Sequence, residues 1–429
     1  VISEDLTRFE PTEAFARRMD SQDPLRQFRD AFLFPLDARG EPVAYLAGNS
    51  LGLQPRKARG YIEQELDDWA RLAVEGHLKA RHPWLPYHEE LTGQLARLVG
   101  AQPSEVVAMN SLTVNLHLMM TSFYRPTRER FKILVEAGAF PSDQYAVASQ
   151  AGLHGFTREQ AIVEVAPRSG ESTVRDDDLL DAIAREGPSL ALVMLGNVNY
   201  LTGQAFDIAA VTRAGHAQGA RVGFDLAHGA GNLFLKLHDA GPDFAVWCSY
   251  KYLNGGPGTV GGCFVHERHA EALGLPRMEG WWGHDKASRF KMPRDFSPLR
   301  GVESWQLSNP PIFQLAALRA SLELFDAATM PALRRKSELL TAYLAFLIAL
   351  MPPAFCQILT PEDPQRRGAQ LSLRILGANP RRLVDELASA GVVCDLREPD
   401  VIRAAPAPLY CGFHDVFRFS QALSGHARS

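Results

Sequence analysis

Residues 220–266 read ARVGFDLAHGAGNLFLKLHDAGPDFAVWCSYKYLNGGPGTVGGCFVH. The runs ARVGF, DFAVWC and GGCFVH are each the length of a buried strand, and polar or glycine-rich connections separate them. The same rhythm extends back to about residue 105 through EVVAM, KILVE, AIVEV and LALVML, with helix-like stretches between. This alternation predicts an α/β domain with a mostly parallel sheet. In such sheets ligands bind beyond the carboxyl ends of the strands. The helix expected after Asp176-Asp177-Asp178 carries its acids in the first turn, where the helix dipole favours them.

Outside this region the pattern changes. Residues 1–45 read as irregular and polar, with Pro11, Pro24 and Pro35 as breakers. Ile62, Leu66, Trp69, Leu72 and Ala73 predict a helix over 58–75 with Gly76 as its stop, and a second helix covers roughly 87–99, ending at Gly100. Beyond Asn309-Pro310-Pro311 come helical stretches at about 312–327 and 331–350, then a loop rich in Pro and Arg at 361–368. The strand LSLRI, a helix at 381–390 and the strands VVCDL and VIRAA follow, which together predict a smaller α+β domain. A chain of 429 residues suits two packed domains. The expected organisation is an N-terminal segment at 1–55 packing with the small domain, a large domain at 56–305 and a small domain at 306–429.

Composition narrows the function classes. Apolar residues are 46 % and charged residues 22 %, so the chain can bury a large core. A net charge of −4 without a basic stripe argues against nucleic acid as a partner. Tyr343–Met351, the longest apolar block of the C-terminal half, is too short to span a bilayer and predicts a buried helix face. The N-terminus has charges throughout, unlike a secretory signal. Five scattered cysteines with no CxxC pair give neither a disulfide framework nor a zinc set, and a reducing cytoplasm is the simplest setting.

Four segments look chemical. Ser249-Tyr250-Lys251-Tyr252 follows a buried strand and precedes Leu253-Asn254-Gly255-Gly256-Pro257-Gly258. An amine there would have a lowered pKa and form an imine with an aldehyde cofactor, although a solvated loop lysine fits the segment equally well. Asp225 ends the run RVGF, where a buried carboxylate would keep a pyridine nitrogen protonated; a strand-end aspartate capping a turn is the alternative. Nearby, His228 fits a brace for that aspartate, a phosphate contact or a satisfied core histidine. Asn110-Ser111-Leu112-Thr113 opens a helix-like stretch, where backbone N–H groups and the Thr113 hydroxyl would bind an anion; an ordinary Ser/Thr N-cap also fits. Phe140-Pro141-Ser142-Asp143 follows KILVE, with Phe140 placed to stack on a ring and Asp143 to hydrogen-bond around it, or with both merely starting a helix.

Two other patterns are set aside. Gly256-Pro257-Gly258-Thr259-Val260-Gly261 matches the dinucleotide signature but leads into an expected strand instead of a helix. His266 and His269 read as a surface pair, with no carboxylate or cysteine cluster to complete a metal site.

As an ordered set, further runs carry a resemblance. They are YLAGNSLGLQP (45–55), EGHLKARHPW (75–84), NSLTVN (110–115), FPSDQYA (140–146) and NYLTGQ (199–204). FDLAHGAGN (224–232), SYKYLNGGPG (249–258), GWWGH (280–284), LSNPP (307–311) and APAPLYCGFHDV (405–416) complete it. In this order and over nearly the whole chain they resemble the kynureninases, pyridoxal 5′-phosphate enzymes of aminotransferase fold type I. The resemblance implies hydrolysis of L-kynurenine or 3-hydroxy-L-kynurenine to L-alanine and anthranilate or 3-hydroxyanthranilate. By position it implies that Lys251 carries the cofactor and that Asp225 partners its ring nitrogen. Leu112, Thr113, Tyr250 and His228 fall at cofactor contacts, with Phe140 and Asp143 flanking the ring. Free Lys251 would act as the base, and Tyr250 is a candidate proton shuttle.

The resemblance also implies a homodimer with active sites at the subunit interface, where Trp281 and Asn309 reach the neighbouring subunit's cofactor or substrate. Arg403 matches the anchor of the substrate α-carboxylate; by itself it would pass as a surface strand residue. Ser50, His77 and Asn309 look like substrate-pocket positions, and the His77–Asn309 pair is similar to members that prefer 3-hydroxykynurenine. The rival is another fold-type-I enzyme such as a cysteine desulfurase-like lyase. That chemistry needs a mobile nucleophilic cysteine, whereas Cys394 reads as strand and Cys411 lies in a motif shared with kynureninases.

Overall fold

A computed structural model describes residues 9–271 and 274–427. The chain divides into two compact units. The larger comprises Lys57–Tyr200 and Phe206–Asp326; the smaller comprises Val1–Arg56, Leu201–Ala205 and Ala327–Ser429. Residues 1–8 of the N-terminal segment lie outside the described residues. The contact boundary falls after Asp326, whereas the sequence reading places it before residue 306.

The larger unit is built on seven strands: β1 (Val106–Ala108), β2 (Lys132–Glu136), β3 (Ile162–Val165), β4 (Leu190–Gly196), β5 (Arg221–Asp225), β6 (Phe244–Trp247) and β7 (Gly262–Val265). Their order is β1-β7-β6-β5-β4-β2-β3. Only β7 runs against its neighbours β1 and β6; the pairs from β6 to β3 are parallel. Every residue of β1, β6 and β7 is buried, which is why these strands read as unbroken apolar runs instead of alternating ones. On one face Phe123 stacks on Phe244 at 5.3 Å and on Trp305 at 6.2 Å, within a core that includes Met119, Met194 and Val246. Because β2, β4, β5 and β6 are parallel, their carboxyl ends share one edge: Glu136, Gly196, Asp225 and the turn leading to Lys251.

In the smaller unit, strands β8 (Cys356–Ile358), β9 (Leu371–Ile375), β10 (Asp395–Arg397) and β11 (Val401–Ala404) form an antiparallel sheet ordered β8-β9-β11-β10. Ala44–Tyr45 pairs in parallel with Val392–Val393, and Ala47 bridges to Ala405, so residues 44–47 are knit into this unit. Tyr343, Leu344, Leu347 and Ile348 of the Met330–Ala349 helix are buried, as the apolar block predicts.

Several local expectations change. Residues 1–45 are not uniformly irregular: Glu13–Gln22 is a helix, capped by Thr12, whose hydroxyl accepts from Phe15 N at 3.2 Å. Its buried stripe of Phe15, Ala16 and Met19 is short and lies among charges, so it reads as polar. Gly76 does not stop a helix; it is helical (φ −56°) and starts the turn Gly76–Lys79. A Cβ there would meet the Trp84 ring at 2.4 Å, so packing requires the glycine. The C-terminal helix Phe413–Ala427, with Phe413, Val416, Phe419 and Leu423 buried, is an element the sequence reading omits.

The histidine pair is also corrected. His269 is buried and its Nε2 bonds Asp243 at 2.8 Å; His266 is half-buried, 3.8 Å from the Glu105 carboxylate, and stacks on His238. Glu105, His238 and His266 do form a cluster of metal-ligating types. However, backbone N–H groups of Gln102, Glu267 and Arg268 already occupy Glu105 and His266 Nδ1. The cluster therefore serves as a structural cap. Its members come from distant parts of the sequence, so local spacing cannot reveal it.

Candidate active site

The shared strand edge builds the site. Asp225 is the last residue of β5, and its Oδ1 accepts from Ala227 N at 2.6 Å, closing a turn that carries His228. After β6 the chain turns back: Gly255 N donates to Ser249 O and Asn254 N to Lys251 O, with Asn254 in the left-handed region at φ +51°. This turn brings Lys251 Nζ to 3.1 Å from His228 Nε2. Pro141 starts the helix α2 (Pro141–Leu153), fixing Phe140 at its cap and Asp143 in its first turn. The Phe140 ring centroid lies 5.8 Å from Lys251 Nζ.

The cavity within the resulting cleft is about 30 Å³. Its lining includes Lys251, His228, Asp225, Asp143, Phe140 and Glu136. Burial pushes the Asp225 carboxyl above its ordinary range, against the pull of Asp143, Lys251 and the Ala227 N–H. Asp143 is pushed well above its range, first by burial and then by the charge of Asp225. The pair cannot comfortably hold two negative charges in so little water, which favours a proton shared between them. Asp143 Oδ1 is buried with no donor facing it among the described residues.

The helix α1 (Leu112–Phe123) begins beside this region with Ser111 at its N-cap, and the Ser111 side chain makes no capping bond. The ordinary-cap reading therefore fails for Ser111. The Thr113 hydroxyl lies 2.9 Å from that of Ser142, so the first turns of α1 and α2 meet. Gly261 lets the chain entering β7 pass close to α1: a Cβ there would sit 3.2 Å from Leu112 N and 2.7 Å from Trp247 O. Tyr250 is half-buried, and burial together with Cys248 raises its phenol above the usual range, keeping it protonated.

Members of this set suit pyridoxal 5′-phosphate by their chemistry: an amine for the aldehyde, a buried carboxylate for the ring nitrogen, an aromatic face, and a helix start with hydroxyls for the phosphate. Comparison with known proteins decides which such enzyme this is. The chain is 67 % identical over 420 residues to a kynureninase of Myxococcus xanthus, covering 98 % of each. It is 59 % identical to a kynureninase of Koribacter versatilis, covering 96 % of this chain and 97 % of the relative. A family model described as the kynureninase C-terminal domain matches residues 333–423.

The chain belongs to the kynureninase family.

Kynureninases are hydrolases that cleave a carbon–carbon bond of kynurenine, and pyridoxal 5′-phosphate is their cofactor. The fold agrees with the class expected from sequence. A C-DES mutant with glycine covalently linked to the PLP cofactor superposes with a TM-score of 0.75 at 18 % identity, covering 89 % of this chain and 96 % of that one. The cysteine desulfurase CsdA of Escherichia coli gives 0.73 at 19 %, covering 98 % and 99 %. At such identities the likeness speaks for the fold alone, so the desulfurase rival gains nothing against the kynureninase relatives.

The remaining expected residues lie apart from the Lys251 cleft or in the other unit. Trp281 is 42 % exposed, edge-on to Trp282 and Phe290, and Asn309 is exposed; neither lines the cleft among the described residues. Asn309 instead shares an opening with Asn110, Ser111 and Gly258. His77 is half-buried, edge-on to Trp84 at 5.5 Å. In the smaller unit Arg403 is only 1 % exposed, and its Nε donates to Asp395 Oδ1 at 2.7 Å, so it is no surface residue. Half-buried Ser50 follows Ala47, which bridges to Ala405, two residues beyond Arg403.

Sequence reasoning missed Glu136, Asn199 and Tyr200. Glu136 is a carboxylate closing an apolar strand, the same signal that singled out Asp225. Tyr200 stands edge-on to Phe140 at 5.3 Å, a contact between distant segments.

Proposed function

We propose that this chain hydrolyses 3-hydroxy-L-kynurenine in preference to L-kynurenine, with Lys251 as the residue that carries the cofactor and moves the substrate proton. The observation that carries the site assignment is the convergence of Lys251, His228, Asp225 and Asp143 on one cleft. Bound pyridoxal 5′-phosphate draws electrons away from the substrate's breaking bonds. Around it, Asp225 keeps the ring nitrogen protonated, and Asp143, holding the shared proton, limits the negative charge there. Leu112 and Thr113 at the start of α1 hold the phosphate, and Phe140 covers the ring. Once displaced, the Lys251 amine takes the proton from the substrate's Cα. The protonated Tyr250 phenol is a donor suited to the carbon released by cleavage. Water supplies the oxygen of the aryl carboxylate and the hydrogen that completes alanine.

Arg403 pairs with the substrate α-carboxylate, and Asp395 fixes the guanidinium's plane by holding Nε. Ser50, His77 and Asn309 face the aryl group. His77 supports the hydroxylated substrate, since its Nδ1 is buried with no partner among the described residues and suits a phenolic hydroxyl. We place the working form as a cytoplasmic homodimer, with Trp281 and Asn309 reaching the partner's site. Their exposure in the single chain supports this. No helix among the described residues is long and apolar enough to cross a membrane.

The test is purified protein with each kynurenine, following anthranilate or 3-hydroxyanthranilate fluorescence. A kcat/KM at least tenfold higher for 3-hydroxykynurenine is expected, with His77→Leu narrowing the gap. A higher value for kynurenine overturns the preference.

A further inference from the structure

Glu136 ends β2 at the same sheet edge as Asp225 and is 5 % exposed. Between them lies β4, whose last residue, Gly196, is in register with Asp225. Gly196 has no side chain to separate the two acids: a Cβ there would lie 3.0 Å from Glu136 Oε1. The other oxygen, Oε2, accepts from Asn199 Nδ2 at 3.0 Å. The carboxyl is thus held from one side by an amide and leans through the gap left by a glycine. The titratable groups facing it across the cleft are Asp225 from β5, Asp143 from α2, Tyr200 from the segment after β4, and Lys251 and His228 from the loops after β6 and β5. Three buried carboxyls therefore share one cleft with a lysine.

We propose that Glu136 is a positioning residue that acts through Asp225, its proton setting how firmly Asp225 holds the proton of the cofactor's ring nitrogen. The proposal rests on the reading of Asp225 as the ring-nitrogen partner. When Glu136 is protonated, Asp225 is the sole anion of the trio. When Glu136 ionises, a second negative charge appears behind Asp225, with little water to screen it, and favours the proton on both the ring nitrogen and the lysine–cofactor link. Burial pushes the Glu136 carboxyl up to about 7, against the Asn199 hydrogen bond and with the help of Asp225's charge, so this change falls in the working range of pH.

The experiment is a pH titration of the visible absorbance of the cofactor-loaded enzyme, with pyridoxal 5′-phosphate affinity measured in parallel. Wild type should show a transition near pH 7 that Glu136→Gln lacks, while the variant still binds the cofactor within about threefold of wild type. If Glu136→Gln titrates like wild type, the proposal is overturned. Should Glu136→Gln fail to fold, Asn199→Leu provides the reading: losing the amide should move the transition to higher pH, and an unmoved transition overturns the proposal. Asp225→Asn separates the two levels. If its spectrum matches wild type, the ring-nitrogen reading fails; if it changes while Glu136→Gln does not, only the role of Glu136 fails.

Discussion

Lys251 Nζ lies 3.1 Å from His228 Nε2, although the two residues belong to different strand-end loops. The imidazole fixes where the amine points before any cofactor arrives. Lys251→Ala is expected to abolish turnover and the absorbance of the lysine-bound cofactor. His228→Leu should keep that absorbance but lose roughly 10²-fold in kcat, the scale of a misplaced reacting group. A Lys251→Ala protein that turns over and retains the band contradicts the assignment.

The two aspartates should respond unequally. Both carboxyls are raised, Asp143 well above its ordinary range, so burial favours the neutral acid there and Asp143→Asn puts a neutral amide in its place. Asp225→Asn removes the charge opposite the ring nitrogen and should lower kcat by about 10² or more. Asp143→Asn should cost about tenfold or less on the same scale. Steady-state kinetics of both variants decide this, and equal losses would count against the division of roles.

Arg403 is buried, with Nε committed to Asp395. Arg403→Lys keeps the charge but loses the planar fork that matches a carboxylate. Its effect should fall on KM, which rises about tenfold or more while kcat changes little, as for a uniform binding contact. A loss confined to kcat would place Arg403 elsewhere in the reaction.

Asp243 anchors the larger unit outside the site. It is fully buried, and its carboxylate accepts from His216, His269, Arg221 and the Val222 backbone; against the upward push of burial, the bonds from His216, His269 and Val222 hold it far below its ordinary range. Removing one partner of such a buried charge network costs about 3–5 kcal/mol, so Asp243→Ala should lower the urea midpoint substantially at pH 7. A depressed carboxyl contributes its stability in full above the unfolded value of 3.8 and loses it as the pH falls towards the folded one. The gap between wild type and variant should therefore narrow below about pH 4. A gap independent of pH would show that packing, and not charge, sets the cost.

The central sheet was legible because its strands, apart from the edge strand Ile162–Val165, are buried along nearly their whole length. ARVGF, DFAVWC and LALVML have no solvent side to alternate with, and the breaks between them fall at glycines and polar residues. Lys251, Asp225, Phe140 and Asp143 could be singled out for a related reason: in a parallel sheet the functional edge follows strand ends, and strand ends show in sequence. The helix at Glu13–Gln22 could not be read so readily, because its buried stripe is too short to stand out.

Amino-acid order alone thus determined the α/β class and, through motifs in sequence, the family, and it singled out Lys251 as the proposed cofactor lysine. Only tertiary structure decided which acids are buried together, that Glu136 reaches past Gly196 towards Asp225, that Arg403 is buried against Asp395, and that His266 and His269 are held by acids from other segments. Periodicity reports how a residue relates to its near neighbours along the chain. Desolvation and charge coupling depend on what packs around a group in space, and those partners come from strands and loops far away in sequence.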